Sequence, residues 1–560
     1  MPRTGRLARC ALILALSMAA QGAAADPPSA PFDWSGAYIG YHTGGALGLV
    51  DVEDPFGGSI FGDTVRTPGL LAGGQLGYNW QLGATVLGLE ADVSWADMDG
   101  TNTCFAFSGF YISANCRTEI DALGTFTGRL GWALPFDGRT LLYGKAGLAW
   151  EHAKTEATAN GGLGLPTTKT EGFVWGWTLG AGAERAIAPL WSLKAEYDFL
   201  SFDGDGFAAP ASIVQTGGAL VNTAGAATDI SQDIHRFKLG LNYRIGADGA
   251  SPHGDLLAAL RPSGPSPSTT EIEAGVRYVH GWGQFHKDLG VTSLSSLASR
   301  LTYDGTDIKG AELYARIDTP YAVMVKGIVG AGTGGGQMND EDWGLPSPPF
   351  AAFVPYSNTL SDVDDDIRYV IVDVGYDWWR GGGYRVTPFI GYSSFQQDMS
   401  ALGCIQVANP NSDCVPALPP SVLGITERDR WNALRLGTAV EIPLFPRLSL
   451  DAEAAYLPYV SFTGTDNHVL RALVSPEDGH GVGVQLEAML SYAVTDALSV
   501  GVGGRYWSMW TTSGNVNFGG TGQFVPMRYA AEQAHLLVEG TYRFDLGGRG
   551  HFGPRRTPAP

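Results

Sequence analysis

From His235 to Gly246 the chain alternates between two kinds of side chain. Phe237, Leu239, Leu241, Tyr243 and Ile245 fall on one parity, and Arg236, Lys238, Gly240, Asn242 and Arg244 on the other. A strand turns successive side chains to opposite faces, so this stretch has one apolar and one polar face. A soluble edge strand can look like this once, but here the pattern recurs. Eight such segments run near 34–48, 67–83, 85–100, 118–135, 140–157, 172–190, 191–207 and 230–246. Ten more run near 270–288, 297–318, 321–335, 366–379, 384–400, 427–444, 447–464, 482–495, 498–513 and 531–544. Links alternate in length. Leu82-Gly83-Ala84, Pro135 to Arg139, Asp318-Thr319-Pro320, Trp379 to Gly383, Phe445-Pro446 and Thr495-Asp496-Ala497 are tight. Residues 101–117, 208–229, 336–365, 401–426, 465–481 and 514–530 are long. Even strand counts, with short turns at one end and long loops at the other, predict an all-β fold of two transmembrane antiparallel β-barrels in tandem, eight-stranded then ten-stranded.

The flanking segments fix the compartment. Arg3, Arg6 and Arg9 precede an apolar stretch from Ala11 to about Ala20, and Ala23-Ala24-Ala25 precedes Asp26. Residues 1–25 therefore read as a secretory signal peptide. The barrels are expected over 26–246 and 269–546. Between them, 247–268 carries Pro252, Pro262, Pro265 and Pro267 among Ser and Gly and reads as a linker. Residues 547–560 form a tail.

Composition agrees with lipid as the solvent. After Ala25 no apolar run of about 18 residues occurs, so no helical span is expected. Yet 44% of residues are hydrophobic and only 16% charged, less charge than a soluble domain usually carries. The net charge of −20 argues against nucleic acid, whose phosphates need a basic patch. The expected surroundings are outer-membrane lipid and lipopolysaccharide, with extracellular proteins or peptides as substrates. Cys104 with Cys116, and Cys404 with Cys414, lie in polar loops. In an oxidising compartment each pair is a candidate local disulfide, the alternative being four loop thiols.

Candidate chemistry gathers on the long-loop side. Gly335 to Trp343 contains Asp340 and Asp342 after the third strand of the second barrel, and Gly464 to His468 contains Asp466 and His468 after the seventh. Residues i and i+2 share a face of an extended segment, and strands three and seven lie roughly opposite in a ring of ten. If both pairs face inward, three carboxyl groups and an imidazole meet at one mouth. A histidine beside a carboxylate can take a proton from water near neutral pH. A facing aspartate pair can hold that water and titrate as a unit. This set suits peptide-bond hydrolysis by activated water, with no metal or cofactor expected. The competing reading is that acidic loops hold many Asp-x-Asp pairs. Asp362-Val363-Asp364-Asp365-Asp366 reads as a solvated run, with calcium as the alternative. His280 and His286 read as surface groups. His480, after Glu477-Asp478, lacks a spaced ligand set. Trp343, Trp507 and Trp510 suit either a substrate groove or an interface belt.

Two family resemblances add to this. Phe32 to Gly40 (FDWSGAYIG) resembles the opening of the small eight-stranded OmpA/opacity-like barrels, and His235 to Tyr243 fits their closing strand. That likeness implies an anchoring or surface-structure role. The interior of so small a barrel is filled by side chains. Residues 270–544 resemble the omptins, ten-stranded outer-membrane proteases. The matching features are Leu301-Thr302-Tyr303 with Ile308-Lys309-Gly310, the glycine-rich stretch Gly335 to Trp343, Asp466-Asn467-His468, Arg505 to Asn515 and Leu536 to Phe544. The resemblance implies catalysis by the pair Asp340 and Asp342 facing the dyad Asp466 and His468.

The chain also departs from that family. Omptins hold acids for basic substrate side chains, but Gly464 stands two residues before the dyad aspartate, and His280 to Phe285 contains no acid. Ser357-Asn358-Thr359 echoes the family's loop serine and histidine only in part. Ser394 and Gln396, after Tyr392, replace the Glu and Arg of its lipopolysaccharide-binding strand, which leaves lipopolysaccharide dependence open. A non-catalytic structural or adhesive barrel is the alternative, and a channel a third.

Overall fold

The computed structural model describes residues 32–245 and 269–546, apart from 55–61, 108–111, 136–137, 160–166, 211, 217–218, 224–226, 291–293, 295–296, 344–356, 382–383 and 409–411. The expected signal segment, linker and tail lie outside the described residues.

The first ring is a closed barrel of β1 (Gly36–Val52), β2 (Thr64–Leu82), β3 (Thr85–Phe107), β4 (Ile112–Ala133), β5 (Thr140–Ala159), β6 (Thr167–Ala186), β7 (Trp191–Ala208) and β10 (Ala227–Ile245). A separate hairpin, β8 (Ser212–Thr216) with β9 (Ala219–Thr223), occupies the expected loop 208–229. The second ring comprises β11 (Thr270–Gly290), β12 (Leu297–Asp318), β13 (Val323–Asp342), β14 (Ser357–Tyr376), β16 (Tyr384–Gln406), β17 (Leu418–Phe445), β18 (Leu448–His468), β19 (Leu473–Ala493), β20 (Leu498–Asn517) and β21 (Phe524–Leu546). It closes through β14 on β16, and the short β15 (Trp379–Gly381) pairs with the start of β16. Closure pairs both edges of the ring strands, as lipid demands.

The alternation read from sequence is the pleat. Outward positions such as Leu76, Trp95, Leu130, Trp175, Val329, Val372, Tyr459 and Val502 are exposed and apolar, as a lipid-facing belt requires. Inward positions of the first barrel carry ionic groups. Arg236 donates to Asp92 at 2.9 Å and to Asp198 at 2.7 Å. Lys238 contacts Glu196 at 2.7 Å, Lys194 contacts Glu90 at 3.0 Å, and Arg129 contacts Glu184 at 2.7 Å. These paired charges fill the interior. The second barrel is wider and layered. Arg277, Arg505, Glu312, Glu487 and Glu539 form an ionic layer. Toward the long-link end an aromatic layer follows, including Phe285, Tyr303, Tyr369, Trp431, Phe462, Trp507 and Tyr529.

Strands run much further than the alternation suggested. The expected loops 101–117, 336–365, 401–426, 465–481 and 514–530 are largely strand. Cys104 and Cys116 sit on β3 and β4 and not in a loop, and both disulfides, Cys104–Cys116 and Cys404–Cys414, are formed. Asp362 to Asp366 lies in β14, where Asp362, Asp364 and Asp366 face outward while Asp365 is buried and accepts from Gln397 at 2.7 Å. The pleat thus splits that run between two faces: it is strand and not loop, with three of its four acids solvated and one buried.

The barrels pack side by side. Near the tight turns the seam is apolar: Leu193, Ala195 and Leu239 meet Val386, Val440 and Ile442. Midway, Gly45 allows close approach, because a Cβ there would lie 3.1 Å from both Val484 and Leu486. At the long-link end the seam turns polar. Arg300 donates to Thr103 at 3.0 Å, Thr101 at 2.9 Å and Asn115 at 2.7 Å. Arg66 pairs with Glu532, and Arg528 lies 3.2 Å from Asp99. His286 lines this polar seam beside Arg66, Asp99 and Glu532 and is not a free surface group.

Replacing Arg236 by leucine leaves Asp92 and Asp198 short of a buried partner. Such losses cost roughly 3–5 kcal/mol. The expected outcome is a lower urea midpoint for the heat-modifiable folded species in detergent; an unchanged midpoint would refute the role given to this pair.

Candidate active site

Four of the residues singled out from sequence line one cavity of about 340 Å³ at the outer end of the second barrel: Asp340, Asp342, Asp466 and His468. All four are at strand ends, not in loops. Asp340 and Asp342 end β13, where Asp340 pairs in register with Leu301 and Thr359, and Asp342 with Ser299 and Ser357. Their inward parity continues unbroken from Lys326 and Ile328, which are buried in the lumen.

The dyad reaches the same face by a different device. Along lower β18, Glu453 and Ala455 point inward: Glu453 accepts from Arg435, and Ala455 packs with Met324 and Phe389. Simple alternation from there would turn Asp466 and His468 outward. Between Leu457 and Val460, however, β18 advances one residue more than either neighbour. Pro458 lies within this bulge. Such an insertion shifts parity and re-aims the side chains beyond it. Val460, Phe462, Asp466 and His468 then share the inner face. His468 Nε2 lies 3.1 Å from Asp466 Oδ2.

The site stands above the lipid belt. Tyr459 is the last exposed large apolar residue on β18, and Asp466 comes seven residues later. At about 3.3 Å per residue this is roughly 20 Å along the strand. Burial, then Asp342, raises Asp340 above the usual carboxylate range. Burial also raises Asp342, against a hydrogen bond from Ser299. The pair thus retains a proton at neutral pH, as close carboxylates do. Burial opposes the charge of Asp466, but Lys287 and His468 outweigh it and hold this carboxyl low. Burial likewise disfavours a charged His468, yet its bond to Asp466 wins and raises the ring above 6.5. A carboxylate at Nε2 fixes the Nε2–H tautomer and leaves Nδ1 as the basic nitrogen.

Sequence reasoning missed Lys287. Its Nζ contacts Glu427, lies 3.2 Å from Asp466 Oδ2 and 3.1 Å from Glu477 Oε1, and is fully buried. Parity with Phe285, two residues earlier on β11, was the available signal. Glu427, Asp466 and Glu477 are spaced closely enough to ligate a metal, but the Lys287 ammonium takes the cation's place among them. Gly464 has a local reason. A Cβ there would lie 2.8 Å from Asp429 Oδ1 and 2.9 Å from Glu477 Oε2. The space for an acid on that strand is already taken by acids from β17 and β19.

The remaining candidates scatter. Trp343 lines the cavity, Trp507 belongs to the aromatic layer, and Trp510 borders the seam, so none is a belt residue. His280 and His480 are on outward faces. Ser357, Asn358 and Thr359 run along the ladder beside the acid pair and do not line the cavity. Tyr392 and Ser394 both donate to Asn432 on the outer face, at 2.7 and 3.0 Å, and Gln396 accepts from Arg430 at 3.1 Å.

Comparison with known proteins supplies the family. Residues 10–244 match the outer membrane protein beta-barrel domain. The 31 kDa outer-membrane immunogenic protein of Brucella melitensis is 31% identical over 256 residues, covering 43% of this chain and 98% of that protein. The chain belongs to the outer-membrane β-barrel protein family. A 22 kDa outer membrane protein of Rhizobium leguminosarum is 30% identical over 176 residues, covering 31% of this chain and 68% of that one. Among solved structures, the outer membrane protease OmpT from Escherichia coli is 13% identical, covers 50% of this chain and 97% of its own, and has a TM-score of 0.42. As a member of this family the protein resides in the outer membrane, and its tight turns belong on the periplasmic side and its long strand extensions outside.

Lys287→Met removes the cation from three buried carboxylates. The expected outcome is a loss of roughly 3–5 kcal/mol, read as a lower unfolding midpoint of the heat-modifiable form. Unchanged stability would show that the cluster does not depend on this ammonium.

Proposed function

We propose that the second barrel is a surface endopeptidase of omptin type, hydrolysing peptide bonds with an activated water. The observation that carries this reading is the convergence of Asp340, Asp342, Asp466 and His468 on one cavity, with Asp466 and His468 3.1 Å apart. His468 Nδ1 takes a proton from water as the oxygen attacks the substrate carbonyl carbon. Asp466 stabilises the imidazolium that forms. Asp340 and Asp342, sharing one proton, hold the water and donate to the carbonyl oxygen as it gains charge. The imidazolium then protonates the leaving nitrogen as the carbon–nitrogen bond breaks.

A second reading has specific support. The relatives' names speak of outer-membrane location and immunogenicity, not of hydrolysis. The first barrel is plugged by ion pairs, and Gly464 stands where an omptin carries a specificity acid. These facts favour a structural or adhesive surface protein. A channel is disfavoured, because the aromatic layer separates the outer cavity from a charged cavity of about 260 Å³ at the periplasmic end.

An unbiased peptide library, with lipopolysaccharide present, separates the readings. His468→Ala, or Asp340→Asn with Asp342→Asn, is expected to lower turnover by roughly 10²–10⁴-fold while the heat-modifiable fold survives. Variants that cut as well as the parent would refute the mechanism. The pH profile is a further test. Only neutral His468 can act as base, and its affinity for the proton is raised, so kcat/KM should climb on an acid limb lying above pH 6.5. It should fall again when the acid pair gives up its shared proton. An acid limb below pH 6 would exclude His468 as the base.

A further inference from the structure

Beyond the four candidate catalytic side chains, the cavity wall is mostly apolar. Leu289 and Leu301 contribute from β11 and β12, Trp343 from just past β13, Val516 from the end of β20, Phe518 from the turn that follows it, and Met527 from β21. A volume of about 340 Å³ lies at the small end of the range for sites that enclose a ligand group. Such a space accommodates one large side chain.

The charges in the wall point the same way. Among the described residues, the lining carboxylates outside the reacting pair Asp340 and Asp342 are Asp413, Asp466 and Glu477, and each has an oxygen against a lining cation. Asp413 accepts from Arg471 at 2.7 Å. Asp466 and Glu477 both contact Lys287 Nζ. A lysine or arginine side chain entering here would give up its hydration for carboxylates that already share Lys287 and Arg471. Desolvating it without a free partner is costly. An apolar side chain would lose water against eight apolar neighbours instead.

We propose that this cavity is a binding subsite for a large apolar side chain, so that the peptide bonds cut are those flanked by leucine, methionine or phenylalanine and not by lysine or arginine. The substrate class rests on the hydrolase reading above; the subsite's ligand preference does not. The apolar wall rewards hydrophobic side chains, while a basic one loses hydration and must compete with Lys287 and Arg471 for the carboxylates.

Two measurements on the purified full-length protein, refolded with lipopolysaccharide, test this. In the first, a peptide library is digested and the residues flanking each cut are read by mass spectrometry. At least about a tenfold preference in kcat/KM for apolar over basic flanks is expected, the size of effect hydrophobic pockets give. Cuts beside lysine or arginine at equal or higher rate would overturn the proposal. Met527→Trp, which narrows the cavity, should slow phenylalanine-flanked substrates more than alanine-flanked ones; equal slowing counts against the subsite. In the second, N-acetyl-phenylalaninamide and N-acetyl-argininamide are titrated calorimetrically against parent and Met527→Trp proteins. Tighter binding of the phenylalanine amide, lost in the variant, supports the subsite. Equal or tighter binding of the arginine amide overturns it. If no peptide is cut while the phenylalanine amide still binds preferentially, the hydrolase reading falls and the apolar subsite stands.

Discussion

Lipid offers backbone amides no partner, so every N–H and C=O that crosses it must be paired inside the protein. For strands this means a closed ring, and a ring imposes strict alternation: one parity to lipid, the other to the lumen. Most of this molecule follows from that. Charged residues on the inner parity cannot reach bulk water and must find one another, as Arg236 does with Asp92 and Asp198. Two more strands widen the second ring, so its lumen holds layers and, at its outer end, a cavity. Even strand counts return the chain to the side where it began, so both rings keep their tight turns at one end. The candidate site lies at the other end, where strands rise above the belt into water.

What the sequence displays is therefore the part lipid enforces. Strand number, the tight turns and the parity of Lys326, Phe237 or Leu239 are legible because a misplaced side chain within the belt would be costly. Above the belt, water tolerates polar residues on both faces and alternation fades. Gly336 to Asp342 and Ser357 to Asp365 thus read as loop although both are strand. The candidate residues were visible as chemical types at short spacing. Their shared inward direction was not, because it depends on the extra residue between Leu457 and Val460 in β18. Pro458 was the one local hint of it. Lys287 was hidden for another reason: its importance comes from Glu427, Asp466 and Glu477, which three other strands deliver.

Alternation also fails to distinguish lipid from protein as the outer neighbour. Val386, Val440 and Leu239 look like belt residues in sequence, yet they bury one another between the barrels. Strand tilt explains how one straight seam involves so many strands. Barrel strands lean by roughly 35–45°, so a vertical line of contact crosses them in turn. On the second barrel the contact begins on β16 and β17, passes Val484 and Leu486 of β19, and ends on β21, β11, β12 and β13.

That climb ends where the acid pair begins. Asp340 and Asp342 face the cavity, and Glu341 between them must face out by the same pleat. It does not meet water there, because it accepts a hydrogen bond from Thr103 of the first barrel at 2.8 Å. Its register partner on β12 is Arg300, which the first barrel holds through Thr101, Thr103 and Asn115. A strand end standing in water, beyond the belt, would otherwise have only its ladder neighbours to hold it. Here the first barrel grips its outer face while the cavity shapes its inner one. The eight-stranded ring, whose own interior is filled, thereby fixes the strand segment on which the acid pair is mounted.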